Sequence, residues 1–379
     1  MGALDGITVI ELAGLGPAPF CGMMLADHGA RVIRVDRPGA ADPSGNVLCR
    51  NRESIVVNLQ QPAGCDVLLE LIESADALIE GFRPGVMERL GLSPETCLAR
   101  NPALVFGRMT GWGQDGPLAN TAGHDINYIS LAGVTDAIGE SGRGPVPPLN
   151  LVGDYGGGGM FLAFGVLAAI ISARKTGQGQ VIDCAMIDGA TALMAEYYGF
   201  LGAGEFSGPR ASHLLDGGAP FYSVYETSDG KHISIGPLEP KFYRLLLDAL
   251  GLEGDLWTDQ MDKARWPEMK RELRSTFLTR TRADWIERLE GSDVCFAPVL
   301  SIKEASQHRH HLARGTIIDV DGVLQGSPAP RFAGTPSGKP RPARRPGTDT
   351  RATLLELGLE KDRVANLLAA GVIEQADPA

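Results

Sequence analysis

The stretch that decides the fold is "ITVIELAGLGPAPFCGMMLADHGARVIRVDRP", residues 7–38. It begins with a short β-branched run at 7–12, passes through a loop rich in Gly and Pro and a helical segment that ends at Gly29, and closes with a second such run at 31–38. Strand, helix and strand at this spacing form a βαβ unit, in which the two strands are parallel. We therefore predict a parallel sheet here.

Strand and helix signals continue to alternate as far as about residue 200. Such alternation indicates a doubly wound, Rossmann-like α/β sheet. At 93–101 the helix signal is strong, because Ser93 is a good N-cap and Pro94 suits the first helical position. The further predicted strands lie at 54–59, 75–82, 103–113 and 177–186, and the further predicted helices at 63–74, 160–173 and 187–200.

The pattern changes after residue 220. Two alternating runs in 221–238 flank Asp229-Gly230, which predicts a β-hairpin, and helices and a strand follow as far as residue 300. We expect a smaller α+β domain inserted into the large one, to which a helical C-terminal segment returns. The predicted parts are a large domain of 1–200 plus 326–379, a small domain of 221–315, and linkers or straps at 201–220 and 316–347.

Composition narrows the possible partners. The chain has 379 residues, 44% of them hydrophobic and 21% charged, as in soluble proteins with a substantial core. Its net charge of -11 disfavours nucleic acid and anionic membranes as partners. The longest apolar stretch, 160–173, is shorter than the roughly 20 residues that a membrane span needs, so we expect a buried helix and no membrane insertion.

The cysteines and the chain ends bear on location. The six cysteines are scattered, without a CxxC pair or zinc-ligand spacing, as is typical of proteins in a reducing compartment. The N-terminal residues lack a signal-peptide pattern, and the chain ends in "ADPA" rather than a peroxisomal signal. These observations favour a cytoplasmic location.

One nucleotide-binding pattern is nearly matched but disfavoured, and a second has no match. Gly14 and Gly16 follow the first strand and Asp36 ends the second, but Pro19 stands where a dinucleotide-binding loop has its third glycine. A P-loop is excluded because the chain has no GxxxxGK[ST] motif. We expect no acidic or Cys partner near the "HRHH" at 308–311, so we predict a solvated helix end and no metal site.

The N-terminal half concentrates arginines at predicted strand ends and helix starts. Guanidinium groups at such places suit phosphate groups, which favours a phosphorylated ligand even though the protein is acidic. The alternative is ion pairing with Asp36, Glu53, Glu80 and Glu88, which we expect for about half of the set. The six arginines are Arg34, Arg37, Arg50, Arg52, Arg83 and Arg89.

A carboxylate precedes four glycines in "GDYGGGGM", residues 153–160. The glycines could allow a ligand to approach the backbone or allow close packing, and Asp154 could cap a helix or do chemistry. "TAGHDINYISLAG" places His124 at another predicted helix start. The residues alone favour N-capping by Asp154.

Several motifs together resemble the family III CoA-transferase (CaiB/BaiF-type) superfamily, and within it the branch that racemises 2-methylacyl-CoA thioesters. They run in order from about residue 7 to residue 332, so the resemblance covers most of the chain. The matching stretches are "VIELAGLGPAPF", "VIRVDRP", "NRESIVVNL", "GFRPGVMERLGL", "MTGWGQDGP", "AGHDINYISLAG", "PPLNLVGDYGGGGMF", "GQGQVIDCAMIDG", "LLDGGAPFYSVYETSDGKHISIGPLEPKFY" and "APRF".

The resemblance implies a homodimer of interlocked subunits, each with a large Rossmann-like domain and an inserted small domain. The active site would lie between the large domain of one subunit and the small domain of the other. The substrate would be an acyl-CoA thioester, with no further cofactor and no metal. The preferred acyl chain (branched fatty acyl, sterol side chain or 2-arylpropionyl) is left open.

The resemblance also implies roles for individual residues. His124 and Asp154 match the acid/base pair, and Glu239 of "GPLEPKFY" matches an acidic residue that supports the histidine. One departure is Gln60, where relatives often carry lysine. The implied substrate- and oxyanion-binding residues are Gly123, Asp125, Ile126, Asn127 and Tyr128, and the implied CoA-binding residues are Arg37, Val57, Asn58, Leu59, Gln60, Gly81, Phe82, Arg83 and Arg89.

This reading makes chemical sense for 1,1-proton transfer through an enolate. Deprotonation next to a thioester carbonyl needs a base near the α-carbon and a donor at the oxygen, for which the Asp125 N–H is a candidate. Two alternatives remain. In transferases of the superfamily the matching aspartate attacks the acyl-CoA to form an anhydride, although those relatives generally lack the histidine; the other alternative is a non-catalytic CoA-binding protein.

Overall fold

The structure is a computed structural model that describes residues 2–376. This part of the chain forms two compact units. The first comprises 2–132, 149–195 and 315–376, and the second comprises 133–148 and 196–314. The first unit is therefore assembled from three separate chain segments.

Twelve strands lie in the described residues. β1 to β6 and β12 belong to the first unit's main sheet, β10 and β11 form a hairpin, and β7 to β9 form a sheet in the second unit. The strands are β1 (Thr8–Leu12), β2 (Arg31–Asp36), β3 (Glu53–Val57), β4 (Ala77–Glu80), β5 (Val105–Thr110), β6 (Gln180–Ala185), β7 (Ser223–Glu226), β8 (His232–Ile235), β9 (Phe296–Val299), β10 (Ile317–Val320), β11 (Val323–Gly326) and β12 (Ile373–Glu374).

Sixteen α-helices accompany these strands in residues 2–376, together with 3₁₀ turns at Val47–Cys49 and Asp255–Trp257 and a π-helical segment at Leu151–Met160. The helices are α1 (Pro17–Asp27), α2 (Pro62–Glu73), α3 (Val86–Arg89), α4 (Pro94–Arg100), α5 (Asp125–Leu131), α6 (Val134–Ala137), α7 (Phe161–Thr176), α8 (Met186–Leu193), α9 (Ala195–Gly202), α10 (Pro240–Leu250), α11 (Trp266–Phe277), α12 (Arg282–Leu289), α13 (Ile302–Gln307), α14 (Arg309–Arg314), α15 (Thr350–Glu356) and α16 (Lys361–Ala369).

The main sheet confirms the predicted mixed α/β architecture with a large parallel sheet. Its seven strands run in the order β12-β3-β2-β1-β4-β5-β6. Neighbouring strands from β3 to β6 pair in parallel, and only β12 is antiparallel to its neighbour. The chain moves outward from β1 to β3 and then crosses back to β4, so the winding direction switches between β1 and β4.

Alternating residues of the strands fill two separate cores, one on each face of the sheet. Ile10 and Ile33 point into a core with α2, α15 and α16, whereas Val9 and Val32 point into a core with α1 and α7. This is the period of two expected of a strand buried on both faces, which explains why these strands are almost uniformly apolar.

The second unit has its own core. β7 and β8 form the predicted hairpin, with Gly230 at a φ of +69° in the turn, and β9 adds a third antiparallel strand. Helices α10, α11 and α12 share a core with this sheet, in which Phe221, Phe277 and Trp285 are buried. The aromatic core makes this unit a compact body.

The units differ from the predicted domains at three places. Residues 133–148 and 196–200 belong to the second unit although the large domain was predicted to include them, and 315–325 belong to the first unit. The predicted linker at 316–347 begins with the β10–β11 hairpin, although Asp321-Gly322 between two mainly apolar runs is a hairpin signal. After Gly326 the chain has no helix or strand until α15, as expected for a strap.

The prediction that the central apolar stretch is too short to span a membrane is wrong. The π-helical segment continues directly into α7, and the combined helix, Leu151–Thr176, has 26 residues and a composition apolar enough to cross a bilayer. Half of its apolar window is buried, and Leu162, Val166 and Ile170 pack into the sheet core. Its packing therefore matches the predicted core helix.

The four-glycine run allows close packing between helices. A Cβ atom at Gly157 would lie 2.5 Å from the Ala190 nitrogen in α8, and one at Gly159 would lie 2.7 Å from the Pro17 oxygen in α1. Side chains at these positions would collide with backbone, which cannot move aside cheaply. The idea that the glycines open a helix start for a ligand is therefore wrong for Gly157 and Gly159.

We predict that Gly157→Ala destabilises the protein by about 1–3 kcal/mol, because the added methyl group forces α8 away from the π-helical segment. Gly199→Ala in α9 is the matched control, since a Cβ there meets nothing within 4 Å and alanine favours the helix. Urea denaturation of both variants measures the difference. Equal urea midpoints for the two variants would show that the packing of α8 against the π-helical segment does not require Gly157.

Candidate active site

A cavity of about 200 Å³ lies where the winding of the main sheet switches. The loop after β1, with Leu15 and Pro17, forms one wall, and Gly81 to Arg83 after β4 form another. Thr110 to Trp112 after β5 and Tyr128 of α5 complete it. Open α/β sheets bind ligands at this position, because the loops at the carboxyl ends of the strands diverge there.

The Gly-His-Asp segment lies at the rim of the cavity. Gly123 lines the cavity, and exposed His124 is the residue before α5, as predicted. The Asn127 side chain accepts a hydrogen bond from the His124 N–H at 3.0 Å, which fixes the backbone at this helix start. Exposed Ile126 faces away from the protein interior.

Buried Tyr128 contacts the Gly-His-Asp segment from the protein interior. Its ring packs edge to face against Trp112 with centroids 4.7 Å apart, and its hydroxyl donates to the Gly123 carbonyl. Burial and the negative charge of Asp154 raise the pKa of the Tyr128 hydroxyl, which keeps it protonated and able to donate. The turn that presents His124 is thus held by a buried side chain.

Asp154 does not cap a helix. It lies in the first turn of the π-helical segment, whose N-cap is Asn150, so the interpretation favoured by the residues alone is wrong. The half-buried carboxylate accepts a hydrogen bond from Asn150 Nδ2 at 3.0 Å. It also lies beside Gly16, where a Cβ would be 3.1 Å from Asp154 Oδ2. Asp154 therefore lies next to the loop that lines the cavity.

A hydrogen bond brings the His124 and Asp154 segments together. Oδ2 of buried Asp125 accepts from the Asp154 N–H at 2.7 Å. Burial raises the pKa of the Asp125 carboxyl, and the charge of Asp154 raises it further. Asp125 thus has a positioning role that the sequence analysis, which considered only its N–H, did not assign.

Glu239 belongs to the second unit. It is exposed and immediately precedes α10, where its carbonyl accepts the Tyr243 N–H at 3.0 Å. Pro240 at the first helical position explains this sharp start.

Three of the six N-terminal arginines are used inside the protein. Arg34 pairs with Asp36 at 2.5 Å, Arg50 with Asp27 at 2.5 Å, and Arg52 with Glu11 at 2.9 Å. Only the Arg34 pair involves an expected partner; the expected partners Glu53, Glu80 and Glu88 bind Arg31 or Arg108 instead. The Asp36 carboxylate also accepts from Ser54, so it is engaged rather than presented to a ribose.

The other three arginines, Arg37, Arg83 and Arg89, are exposed, and none forms an ion pair within residues 2–376. Arg83 lines the cavity, Arg37 follows β2, and Arg89 ends α3. Unpaired guanidinium groups at strand ends are available to an anionic ligand. Three of the six arginines are therefore paired inside the protein and three are available, which matches the expectation that about half would form ion pairs.

Residues 57–60 occupy the carboxyl end of β3. Val57 is buried in the sheet, the Asn58 N–H donates to the Val372 carbonyl at 2.8 Å, and the Asn58 side chain accepts from the Gln60 N–H at 3.1 Å. Leu59 packs partly against the core, and the Gln60 side chain is exposed. These hydrogen bonds fix the backbone of the segment.

The histidine run is structural in the part of the chain that is described. His308 caps α13 and its ring contacts Glu290 at 2.8 Å, contrary to the expectation that no acidic group is near. In residues 2–376 no cluster of three or more His, Cys, Asp or Glu side chains has the geometry to hold a metal ion.

The sequence analysis did not identify Glu80 as a residue beside the cavity. It is buried at the end of β4 and joins the Phe82 N–H, at 2.6 Å, to the Arg108 side chain, at 3.2 Å. A charged residue inside the buried run "ALIE", directly before a turn, is the signal that could have identified it.

Comparisons with known proteins identify the family. A profile described as CoA-transferase family III matches residues 4–350. The chain is 42% identical to the α-methylacyl-CoA racemases of Mus musculus, over 98% of this chain and 97% of that one, and of Homo sapiens, over 98% of each. A crystal structure of a CaiB/BaiF family protein from Brucella suis superposes with a TM-score of 0.81 at 26% identity, covering 94% of this chain and 99% of that one. The chain belongs to CoA-transferase family III.

Proposed function

We infer that the protein is an isomerase that interconverts the (R) and (S) forms of 2-methylacyl-CoA thioesters. The observation that carries this inference is the Gly-His-Asp turn tied by the Asp125–Asp154 hydrogen bond to a second carboxylate, at the rim of the switch-point cavity. Identity of 42% over nearly the whole chain to two racemases supports the same reaction.

Two acid/base groups on separate elements suit this reaction. One enantiomer loses its C2 proton to His124, the electron pair moves to the thioester oxygen, and the planar enolate takes a proton from Asp154 on the opposite face. The other enantiomer reacts in reverse. Because only a proton moves, the reaction needs no electron carrier, and we propose that no cofactor beyond the CoA of the substrate takes part.

The enolate oxygen requires a donor. As the first residue of α5, Asp125 has a backbone N–H without a partner inside the helix, and we assign the oxygen to this group. The turn that presents it is rigid because Asn127 and Tyr128 hold its backbone. A rigid donor stabilises developing charge without rearrangement.

The unpaired arginines are the groups that we assign to binding of the CoA moiety. We propose that Arg37, Arg83 and Arg89 bind its phosphate groups, with residues 57–60 on the adenine side. Their exposed, unpaired guanidinium groups support this assignment. In a protein with a net charge of -11, such a local basic group is what an anionic substrate requires.

We propose that two copies of the chain form an interlocked homodimer in which Glu239 supports the histidine of the partner. The supporting observation is an apolar strip on the long helix and β6, with exposed Met160, Phe164, Ile171 and Val181. Large exposed apolar areas mark association surfaces. The six reduced cysteines fit a cytoplasmic enzyme.

The alternative is CoA transfer, in which Asp154 attacks the thioester carbonyl and releases CoA. The half-buried carboxylate beside the cavity would suit either role. The Gly-His-Asp turn favours proton transfer, since a transferase has no need of a second base at C2.

A single chiral 2-methylacyl-CoA incubated with the enzyme in D2O distinguishes the two reactions. We expect deuterium at C2 and loss of optical purity, because the enolate is reprotonated from solvent-exchanged groups. NMR and chiral chromatography measure both. CoA passing to an added free acid without exchange at C2 would identify a transferase. The absence of both activities would indicate a binding protein.

His124→Ala should abolish racemisation almost completely, by roughly 10²–10⁴-fold, because one of the two bases is removed. CoA binding should persist, since the arginines are untouched. His310→Ala, at an exposed position in α14, is the control. Full racemase activity in His124→Ala, measured by polarimetry, would refute the two-base assignment.

Two arginine variants separate binding from stability. Arg83→Gln should weaken CoA binding about tenfold without changing the urea midpoint, because a charge-assisted phosphate contact is lost from an exposed residue.

Arg50→Gln should lower the free energy of unfolding by about 3–5 kcal/mol, because it leaves the buried Asp27 charge poorly compensated. Calorimetric titration and urea denaturation measure the two effects; a reversed pattern would contradict the division of the arginines.

A further inference from the structure

A carboxylate is buried at the carboxyl end of β4 although nothing in the proposed reaction uses it. Glu80 is 1% exposed and immediately precedes Gly81 and Phe82, which line the cavity. Burying a carboxylate costs several kcal/mol unless hydrogen bonds compensate. Such a cost at the edge of a ligand cavity points to a role for the group.

The two carboxylate oxygens of Glu80 bind different partners. Oε2 accepts the Phe82 N–H at 2.6 Å, which fixes the turn between β4 and Arg83. Oε1 accepts Nε of Arg108 at 3.2 Å, and Arg108 is the residue directly opposite Glu80 in β5. The short turn is thus anchored to the neighbouring strand as well as to its own.

Arg108 extends this connection to α3. Its Nη1 pairs with Glu88 Oε1 at 2.9 Å, and its Nη2 donates to Glu88 Oε2 at 3.3 Å. Arg89 is the next residue of the same short helix. One guanidinium group therefore links the turn that carries Arg83 to the helix that carries Arg89.

We propose that Glu80 is a positioning residue of the CoA site, which sets the backbone of residues 81–83 directly and the helix of Arg89 through Arg108. This inference rests on the proposed function, because it assumes that Arg83 and Arg89 contact the CoA moiety. Glu80 itself does not touch the substrate; it determines where two guanidinium groups stand.

The charge of Glu80 changes near neutral pH. Burial raises the pKa of the Glu80 carboxyl to about 7; the Phe82 N–H and Arg108 lower it, and Glu88 raises it. Glu95, at the start of α4, also acts on Arg108. Because the pKa is raised, Glu80 is neutral below pH 7 and its hydrogen bonds lack charge assistance, whereas above pH 7 it is a carboxylate that holds the turn firmly.

Dephospho-CoA is the probe for this inference, because it lacks the phosphate monoester whose own ionisation near pH 6 would obscure the result. We expect wild-type protein to bind it about five- to tenfold more tightly at pH 8 than at pH 6, with a midpoint near 7. In Glu80→Gln this dependence should disappear, and KM for the acyl-CoA should rise at pH 8 more than kcat falls.

Two further variants complete the experiment. Glu88→Gln should move the midpoint to lower pH, because its charge no longer opposes ionisation of Glu80, and this test holds even if Glu80→Gln does not fold. Glu73→Gln, which removes an exposed charge paired with Arg100, is the control and should leave the curve unchanged.

The outcomes separate the two proposals. A pH dependence that is absent in wild type, or that persists in Glu80→Gln, overturns the role of Glu80 and leaves the proposed function intact. A midpoint that does not move in Glu88→Gln also overturns it. Wild-type protein that binds neither CoA nor dephospho-CoA at any pH contradicts the proposed function itself.

Discussion

The close approach of three helices at the glycine run is the constraint on which the site depends. Gly157 meets α8 and Gly159 meets α1 at distances that leave no room for a side chain. This contact places the π-helical segment against the loop after β1, so that the Asp154 carboxylate lies beside Gly16. A larger residue in the run would move the segment that carries Asp154 away from α1 and α8.

The same region of this acidic protein contains two kinds of arginine, those paired with carboxylates and those that the described residues leave unpaired. Guanidinium groups within the sheet are paired with buried carboxylates, as with Arg52 and Glu11, and so serve the fold. Those at the strand ends remain available. Around β4 and β5 the two kinds meet, since the internal Glu80–Arg108 pair borders the turn that carries Arg83. The internal Glu80–Arg108 pair is therefore adjacent to the backbone that carries the exposed guanidinium group of Arg83.

Much of the fold was predictable because local signals and tertiary packing agree. The β-branched runs became β1 and β2, Ser93 caps α4 and accepts the Thr96 N–H at 3.2 Å, and Asp229-Gly230 forms the predicted hairpin turn. The β10–β11 hairpin was also predictable, since Asp321-Gly322 stands between two mainly apolar runs, but the segment was assigned to a linker. For Asp154 the local pattern suggested a cap, because sequence does not show that the helix begins at Asn150 and widens to a π-helix.

The sequence by itself determined the α/β class, the two compositional regions of the chain and the segments that carry His124, Asp154 and the arginines. Those properties follow from periodicity, turn residues and motif resemblance, which are local. Only the tertiary structure decided which arginines pair with buried carboxylates, why the glycines are needed, and that Asp125 joins the segments of His124 and Asp154. These are contacts between residues distant in sequence, and their energies depend on burial, which a sequence does not display.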